Sequence, residues 1–377
     1  MDNAATKHAG GISLPHTVTL MTTNRCTASC RTCGVGAGPA GSQCLSLHDM
    51  RRYVDEAAGL GVRLVVFSGG EPFLLGQDLD TAVRHAASAG LLTRVVSNAY
   101  WAVSGEAALS RLTELREAGL SEDNYSTGDN HQQFVPVQNV INGIRAAARL
   151  GMSCAVMVEL HEGSSYTGDS LKAERELSEV VDDPRGRFHI IESPWVDVNT
   201  DASQRSSGER LLTGQTLKHR AGCASIIGTI AVDSDETMGA CCGITRNRIP
   251  ELTVGSLRRN SMAELVAAMK RDFMKRWLFA QGPEHILAWA AELDPGIKWE
   301  ERYAHQCHAC YAVYNDPAVR AMVARHYERK LMDVSLQYWM ITRSEALGRG
   351  TNKTAQEEQG EGSRNDNSEQ HLGLKAV

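Results

Sequence analysis

The chain has 377 residues and a formal net charge of -6 at pH 7, with 42% hydrophobic and 22% charged residues. This composition is that of a folded protein with one large domain or two smaller ones, and it excludes a wholly disordered chain. Without a basic excess, nucleic acid is not an expected partner. No apolar run reaches the roughly 18–20 residues that cross a bilayer, and the first residues lack a signal-peptide pattern. We therefore predict a cytoplasmic protein with no membrane partner.

Apolar, β-branched stretches alternate with stretches of helical period through the first half of the chain. The predicted strands are 17–21, 63–68, 93–97, 124–127, 153–160 and 188–198, and the predicted helices are 45–60, 79–89, 106–118, 137–150 and 170–181. This alternation is typical of a parallel sheet covered by helices. Six units are too few for the usual eight-unit barrel. We predict an α/β fold with an open, partial (β/α)6 barrel.

The pattern changes after Gly222. Two strand-like segments, 226–232 and 237–241, are separated by turn residues and predict a hairpin. Helical segments follow at 262–279 and 286–293, and a last helix begins at Asp316-Pro317, an N-cap followed by proline. We expect four parts: a flexible leader (1–16), the barrel (17–215), a small α+β domain with a C-terminal helix (216–346) and a polar, disordered tail (347–377).

Ten cysteines are many for a cytosolic chain, where cysteines are more often metal ligands or redox groups than disulfides. Cys26, Cys30 and Cys33 form a C-x3-C-x2-C motif directly after the first predicted strand. That loop lies at the edge of a parallel sheet where ligands bind. Three thiolates can hold three irons of a cubane and leave the fourth open, whereas zinc normally needs a fourth ligand. The motif predicts a 4Fe–4S cluster.

A second motif, Ser68-Gly69-Gly70-Glu71-Pro72, follows the second predicted strand. Together with the three-cysteine motif it resembles the radical S-adenosylmethionine (radical SAM) superfamily, over about residues 17–198. The resemblance implies that the three cysteines hold the catalytic cluster and that SAM binds its open iron. It implies that reductive cleavage of SAM produces a 5′-deoxyadenosyl radical, which takes a hydrogen atom from the substrate. Gly69 and Gly70 would let the backbone approach the ammonium group of SAM, and Glu71 would accept from it.

Other polar residues end the predicted strands at the same edge. Asn98 ends the third strand, and the Ser126–Asp129 segment ends the fourth and resembles the family's S-x-D segment, which reaches the ribose or the substrate. We therefore expect Asn98, Ser126 and Asp129 to bind the cofactor. His131 is either an acid–base contact or a loop histidine bonded to a backbone carbonyl. Glu159 is either a carboxylate of the SAM site or a surface residue. Thr32 departs from the family, which often has an aromatic residue there.

A second group of cysteines lies in the C-terminal part, and its members are Cys223, Cys241, Cys307 and Cys310. Four thiolates fit a fully ligated cubane and would equally fit a structural zinc. The order of cysteine, hairpin, cysteine and C-x2-C resembles the shortened SPASM, or twitch, extension of radical SAM proteins, which implies an auxiliary 4Fe–4S cluster. That extension has glycine five residues before its second ligand. Glu236 stands there in this chain, and counting from it assigns Cys241 as the ligand.

Cys242 is then left over. The period of two in a strand points its side chain away from that of Cys241. It is either a buried thiol that packs as a small apolar group or a catalytic hydrogen-atom donor, as in radical SAM epimerases.

We predict a radical SAM enzyme that binds SAM and two 4Fe–4S clusters and abstracts a hydrogen atom from a peptide or natural-product substrate. The main expectation is an oxidoreductase whose auxiliary cluster accepts an electron, giving dehydrogenation or a crosslink. One alternative is a redox-neutral epimerase of a peptide or sugar that uses Cys242. Another is a non-enzymatic iron–sulfur or zinc binding module. The resemblance also implies an external electron donor of the flavodoxin or ferredoxin type.

Overall fold

The computed structural model describes residues 14–31, 33–194 and 211–347. Its strands are β1 (Thr17–Thr23), β2 (Leu64–Gly69), β3 (Leu92–Ser97), β4 (Glu122–Thr127), β5 (Ser153–Leu160), β6 (Phe188–Pro194), β7 (Thr229–Val232), β8 (Thr237–Gly239) and β9 (Thr253–Ser256). Its α-helices are α1 (Leu47–Gly59), α2 (Gln77–Ser88), α3 (Gly105–Ala118), α4 (Val137–Arg149), α5 (Gly168–Lys172), α6 (Ser178–Val181), α7 (Gly214–Leu217), α8 (Met262–Arg271), α9 (Phe273–Ala280), α10 (Pro283–Leu293), α11 (Gln306–Asn315), α12 (Pro317–His326) and α13 (Leu331–Leu347).

All nine strands belong to one sheet, in the order β6-β5-β4-β3-β2-β1-β7-β8-β9. Strands β1 to β6 are parallel, and each of the first five is followed by at least one helix before the next strand begins. Parallel strands that neighbour one another in chain order, each pair joined through a helix, form an open (β/α)6 half-barrel, so the predicted fold class is confirmed. It brings the ends of β1 to β5, and the loops that follow them, to one edge of the sheet.

The core lies between the sheet and its helices. Alternate residues of the strands, such as Val18 and Leu20 in β1 and Val65 and Phe67 in β2, are inaccessible to solvent. Helix α1 buries Met50, Tyr53, Val54 and Ala57, spaced as an amphipathic helix requires. Apolar side chains at period two in the strands and near 3.6 in the helices therefore meet in one layer. The core is thus built from strands and helices, and the loops at the strand ends can carry functional side chains.

The predicted hairpin does not stand apart from the barrel. Strand β7 pairs in parallel with β1, and β8 and β9 then continue the same sheet in antiparallel fashion. The C-terminal segment therefore begins as an extension of the barrel sheet on the side of β1. Because β1 carries the three-cysteine loop at its end, this pairing brings the C-terminal segment beside that loop.

Two predicted helices are interrupted. The segment 262–279 is α8 and α9, separated at Asp272, whose backbone is extended (ψ 121°) and whose side chain accepts a hydrogen bond from the Lys275 backbone N–H. Asp272 therefore ends α8 and caps the start of α9, although the apolar period of the sequence continues through it. The segment 170–181 is also divided, at Glu174, whose backbone is extended (ψ 117°) but whose side chain makes no capping hydrogen bond. The pattern did not predict α11, α13 or β9.

The predicted leader and tail fall mostly on residues 1–13 and 348–377, and the end of the sixth predicted strand falls on 195–198. These positions and Thr32 lie outside the described residues. Among the residues that are described, no helix combines the length and the apolar character needed to cross a membrane.

Candidate functional site

The three-cysteine motif lies on the loop between β1 and α1, and Cys26, Cys30 and Cys33 are each partly buried. The loop folds back on itself: the Cys26 N–H donates to the Gly38 carbonyl at 3.0 Å, and the Cys33 N–H donates to the Cys30 carbonyl at 3.1 Å. The Ala28 N–H also donates to Cys26 Sγ at 3.4 Å. Backbone N–H donors therefore already face a sulfur atom, as they do around thiolate ligands of iron–sulfur clusters.

The glycines of the second motif pack directly on this loop. Gly69 has a φ of +125°, and a Cβ there would come within 2.5 Å of the Thr23 carbonyl oxygen. A Cβ on Gly70 would overlap the Arg25 carbonyl group. The Gly70 N–H donates to the Thr23 carbonyl at 2.5 Å, and the Glu71 N–H donates to the Arg25 carbonyl at 2.8 Å. The two glycines are thus needed where the ends of β1 and β2 touch.

Glu71 connects the ends of β2 and β3. Its carboxylate is fully buried and accepts from the Phe73 N–H at 3.1 Å, the Ser97 hydroxyl at 3.0 Å and the Asn98 N–H at 2.9 Å. Burial raises the pKa of Glu71 to about 7, although these hydrogen bonds act in the opposite direction. The carboxylate holds two strand ends in place and faces protein donors, which differs from the solvent-facing position that contact with an ammonium group would need.

Asn98 joins the end of β3 to the three-cysteine loop. Its side-chain Nδ2 donates to Thr27 Oγ1 at 3.0 Å and lies 3.6 Å from Cys26 Sγ, while its Oδ1 accepts from the Tyr100 N–H at 3.0 Å. Because Glu71 holds the Asn98 backbone, the order of contacts runs from Glu71 to Asn98 to Cys26. Asn98 therefore lies beside a cysteine sulfur of the three-cysteine loop, and its contact with the cofactor stays a prediction.

Glu159, at the end of β5, is 1% exposed, so it is not a surface residue. Its Oε1 accepts from the backbone N–H groups of Asn130 and His131, and its Oε2 lies 3.3 Å from His131 Nδ1. Burial, followed by the negative charge of Glu159, raises the pKa of Cys30 to about 12. Glu159 and His131 therefore form a buried pair at the mouth of the half-barrel, close to the three-cysteine loop.

Asp129 turns toward the neighbouring loop. It accepts from the Ser165 N–H at 2.7 Å, the Ser165 hydroxyl at 2.8 Å and the Tyr166 N–H at 3.0 Å, and it pairs with His161. Its contacts tie the loop after β4 to the loop after β5. Ser126 is half-buried on β4, on the opposite face of the strand from the buried Tyr125 and Thr127. Of the two residues predicted on this segment, Ser126 faces away from the helix layer.

The second group of cysteines comes together from three parts of the chain. Cys223 is held by its N–H, which donates to the Leu278 carbonyl at 2.9 Å. Cys241 follows β8 and is buried, and α11 carries Cys307 and Cys310 one turn apart. A Cβ on Gly243 would lie 3.0 Å from Cys307 Sγ and 3.5 Å from Cys241 Sγ, so both sulfur atoms line the space beside this glycine.

The chemistry of these four thiols fits a metal centre. Burial raises the pKa of Cys223 to about 11 and that of Cys241 to about 12, and the thiols raise one another's pKa further. Four neighbouring thiolates in a buried site need a cationic centre to exist together. Within the described residues, no group of three or more His, Cys, Asp or Glu side chains is arranged so that it could already hold a metal ion, so the four thiols supply the ligand chemistry without a preformed ion site.

Cys242 differs from its neighbour. It is exposed, and its Sγ lies 3.6 Å from the Ser225 hydroxyl. The interpretation of Cys242 as a buried apolar thiol is therefore wrong. Strand β8 ends at Gly239, so the two-residue alternation used for Cys241 and Cys242 does not extend to them. Cys241 and Cys242 therefore differ in their exposure to solvent, and alternation along a strand is not the reason for the difference.

A family model described as the Radical SAM superfamily matches residues 20–164, which include the three-cysteine loop, the glycine motif, Asn98 and Glu159. Residues 20–164 are a radical SAM domain. The expected resemblance is thereby confirmed, and a radical SAM domain implies a 4Fe–4S cluster and SAM as cofactors. The residues that hold them here are inferred below.

Two curated relatives match part of this chain. A PqqA peptide cyclase of Bradyrhizobium diazoefficiens is 35% identical over 109 residues, or 28% of this chain and 27% of the relative. A PqqA peptide cyclase of Rhodopseudomonas palustris is 38% identical over 110 residues, or 29% of this chain and 27% of the relative. The matches span about a quarter of these relatives. Among solved structures, anSMEcpe with bound AdoMet is 10% identical, with a TM-score of 0.46 over 81% of this chain and 98% of that one.

Proposed function

We propose that this chain is an enzyme that binds SAM at a 4Fe–4S cluster held by Cys26, Cys30 and Cys33 and abstracts a hydrogen atom from a peptide. When bound, the cluster and SAM supply the radical chemistry. The contact of Asn98 with Cys26 carries this proposal, because it places a polar group of β3 on a sulfur of the predicted cluster loop. The names of the curated relatives support a peptide as the substrate rather than a sugar.

In this proposal the residues of the domain orient and shield the cofactors. Gly69 and Gly70 allow the second strand end to lie against the cluster loop, and the buried Glu71 holds Asn98 in contact with Cys26. Ser126 and the Glu159–His131 pair provide polar groups at the mouth for SAM or the substrate. Asp129 acts indirectly, because it holds the loop after β5 in place and does not itself contact the cofactors in this proposal.

We further propose that Cys223, Cys241, Cys307 and Cys310 hold an auxiliary 4Fe–4S cluster that accepts an electron during oxidation of the substrate. The two cysteine regions touch: a Cβ on Gly34, next to Cys33, would come within 2.6 Å of the Ile244 carbonyl oxygen. The backbone beside Cys33 therefore contacts Ile244, which follows the glycine that faces the sulfur atoms of Cys241 and Cys307. This supports net oxidation, namely a dehydrogenation or a crosslink, with the first electron from an external flavodoxin- or ferredoxin-type donor.

A second candidate is redox-neutral epimerisation, which the exposure of Cys242 favours. Cys242 would give a hydrogen atom to the substrate radical and be left as a thiyl radical. One electron from the auxiliary cluster and one proton from solvent would then restore the thiol. Loss of product in Cys242→Ala, together with solvent deuterium in the wild-type product, supports this candidate. Full product formation by Cys242→Ala contradicts it.

The primary test is anaerobic reconstitution of the wild type and of the Cys26→Ala/Cys30→Ala/Cys33→Ala variant. We expect about eight irons in the wild type and about four in the variant, as two four-iron clusters require. With dithionite and SAM, the wild type should form 5′-deoxyadenosine and the variant should not. A wild type that holds iron but forms no 5′-deoxyadenosine would be a binding module. A variant with zinc in place of iron would contradict the auxiliary cluster.

A further inference from the structure

Two buried charges of opposite sign flank the four-cysteine site. Arg246 is 3% exposed and Glu284 is 2% exposed, although charged side chains are rarely buried to this extent without a function or a full set of partners. They approach the cysteines from different elements, since Arg246 lies in the turn after Cys241 and Glu284 lies in the first turn of α10.

Backbone contacts place Arg246 at this site. Its N–H donates to the Gly243 carbonyl at 3.0 Å, and the preceding Thr245 hydroxyl donates to the Cys307 carbonyl at 2.8 Å. Its guanidinium occupies the space that Gly239 leaves open, because a Cβ on Gly239 would lie 2.5 Å from Arg246 Nη1. Arg246 is therefore held in the turn whose central glycine faces the sulfur atoms of Cys241 and Cys307.

Glu284 approaches from the other side. Its Oε2 accepts a hydrogen bond from Gln306 Nε2 at 3.2 Å, next to Cys307 on α11. After burial, its negative charge contributes to raising the pKa of Cys223 and of Cys310. Arg246 acts in the opposite direction on Cys241, whose pKa burial raises. The cation and the anion therefore act on different cysteines of the same group.

Arg246 has one charged partner among the described contacts. Its Nη2 lies 2.5 Å from Asp233 Oδ1 in the turn between β7 and β8. The Asp233 side chain is 23% exposed, so water screens its charge more than that of the buried Arg246. In this pair the cation is therefore buried and the anion is partly exposed to water.

We propose that Arg246 and Glu284 set the reduction potential of the auxiliary cluster in opposite directions, Arg246 raising it and Glu284 lowering it. The proposal rests on the auxiliary cluster proposed above. In the proposed oxidation, the cluster would take one electron from the substrate radical, and the radical's proton would leave to solvent. The added electron makes the site more negative, so a buried cation stabilises the reduced state and a buried anion destabilises it.

The test is a redox titration followed by electron paramagnetic resonance on the full chain. The Cys26→Ala/Cys30→Ala/Cys33→Ala background leaves the auxiliary cluster as the only signal. Arg246→Gln should shift the midpoint potential to a more negative value, and Glu284→Gln should shift it to a more positive value. Arg258→Gln is the matched control, because Arg258 is an exposed cation of the same region paired with Glu236, and its potential should equal that of the background.

Iron and sulfide are measured first in the background chain. If it holds no cluster, both the proposed auxiliary cluster and this inference are wrong. If it holds about four irons and the potentials of Arg246→Gln and Glu284→Gln do not move, or move in the same direction, the inference alone is wrong. If Arg246→Gln does not retain a cluster, Asp233→Asn is measured in its place. Removal of the Asp233 carboxylate should make the potential more positive. If the potential of Asp233→Asn or that of Glu284→Gln does not shift, the inference is wrong.

Discussion

The Tyr53 hydroxyl donates a 2.7 Å hydrogen bond to Glu236 Oε2 and so joins α1 of the barrel to the turn between β7 and β8. Arg258 Nε donates to Glu236 Oε1 at 2.7 Å. Glu236 has a φ of +67°, the left-handed conformation that glycine adopts readily. The carboxylate contacts with Tyr53 and Arg258 offset the strain of a side chain in this conformation.

Glu236→Gly and Glu236→Ala separate these two effects. Both lose the contacts with Tyr53 and Arg258, but only alanine keeps the left-handed strain, which costs an L-residue about 1–2 kcal/mol. We expect both variants to be less stable than the wild type and Glu236→Ala to be less stable than Glu236→Gly by about 1 kcal/mol. Urea unfolding of the three proteins measures the order. Equal stability of the two variants would show that the turn is not strained.

Asn98→Ala removes the side-chain donor beside Cys26 and the contact with Thr27. Partners around a metal ligand typically contribute 10–100-fold to activity or metal affinity, so we expect about a tenfold or larger loss in the rate of 5′-deoxyadenosine formation. Asn260→Ala, which removes an exposed amide bonded to the Ser256 carbonyl, is the control and should keep the wild-type rate. An Asn98→Ala protein as active as this control would remove Asn98 from the site.

Gly34→Ala tests the contact between the two cysteine regions. The new methyl group would lie 2.6 Å from the Ile244 carbonyl oxygen, so one backbone segment must move. Overpacking of this kind costs about 1–3 kcal/mol, and we expect a lower melting temperature. Gly105→Ala is the matched control, because nothing lies within 4 Å of its new methyl group. If Gly34→Ala melts at the temperature of this control, the two segments are not in close contact.

Asp123 is a buried carboxyl on β4 whose Oδ2 has no hydrogen-bond partner among the residues that the structure describes. Burial, and then the charge of Glu122, raises the pKa of Asp123 to about 8 from its ordinary value of 3.8. The buried Tyr125 and Cys154 face the same group. The folded protein therefore keeps a proton that the unfolded chain releases, and this group makes folding less favourable as the pH rises from about 4 to about 8.

Asp123→Asn removes this dependence. We expect the variant to gain at least about 1 kcal/mol relative to the wild type between pH 5 and pH 8, since one pKa unit corresponds to ~1.4 kcal/mol. Urea unfolding at several pH values measures the gain. Glu122→Gln, on the adjacent and partly exposed position, is the control and should leave most of the slope in place. If the free energy of unfolding of Asp123→Asn depends on pH as steeply as that of the wild type, another group causes the dependence.

Local patterns were enough to predict the half-barrel, because burial of alternate strand residues and of one helix face follows from spacing within each element. The interruptions at Glu174 and Asp272 were not predicted, since the apolar period continues through them while the backbone turns. The pairing of β7 with β1 was also not predicted, because it joins strands about 200 residues apart, and loop closure over such a distance leaves no local signal.

The sequence by itself determined the family of the domain: C-x3-C-x2-C followed by the glycine motif marks the radical SAM domain, because residue spacing within a motif is a local property. Tertiary structure decided what the remaining polar groups do. It turned Glu71 inward to hold Asn98, placed Glu159 near Cys30, exposed Cys242 and brought Arg246 and Glu284 to the four cysteines. These relationships depend on which strand ends and turns become neighbours, and only the burial of the whole core settles that.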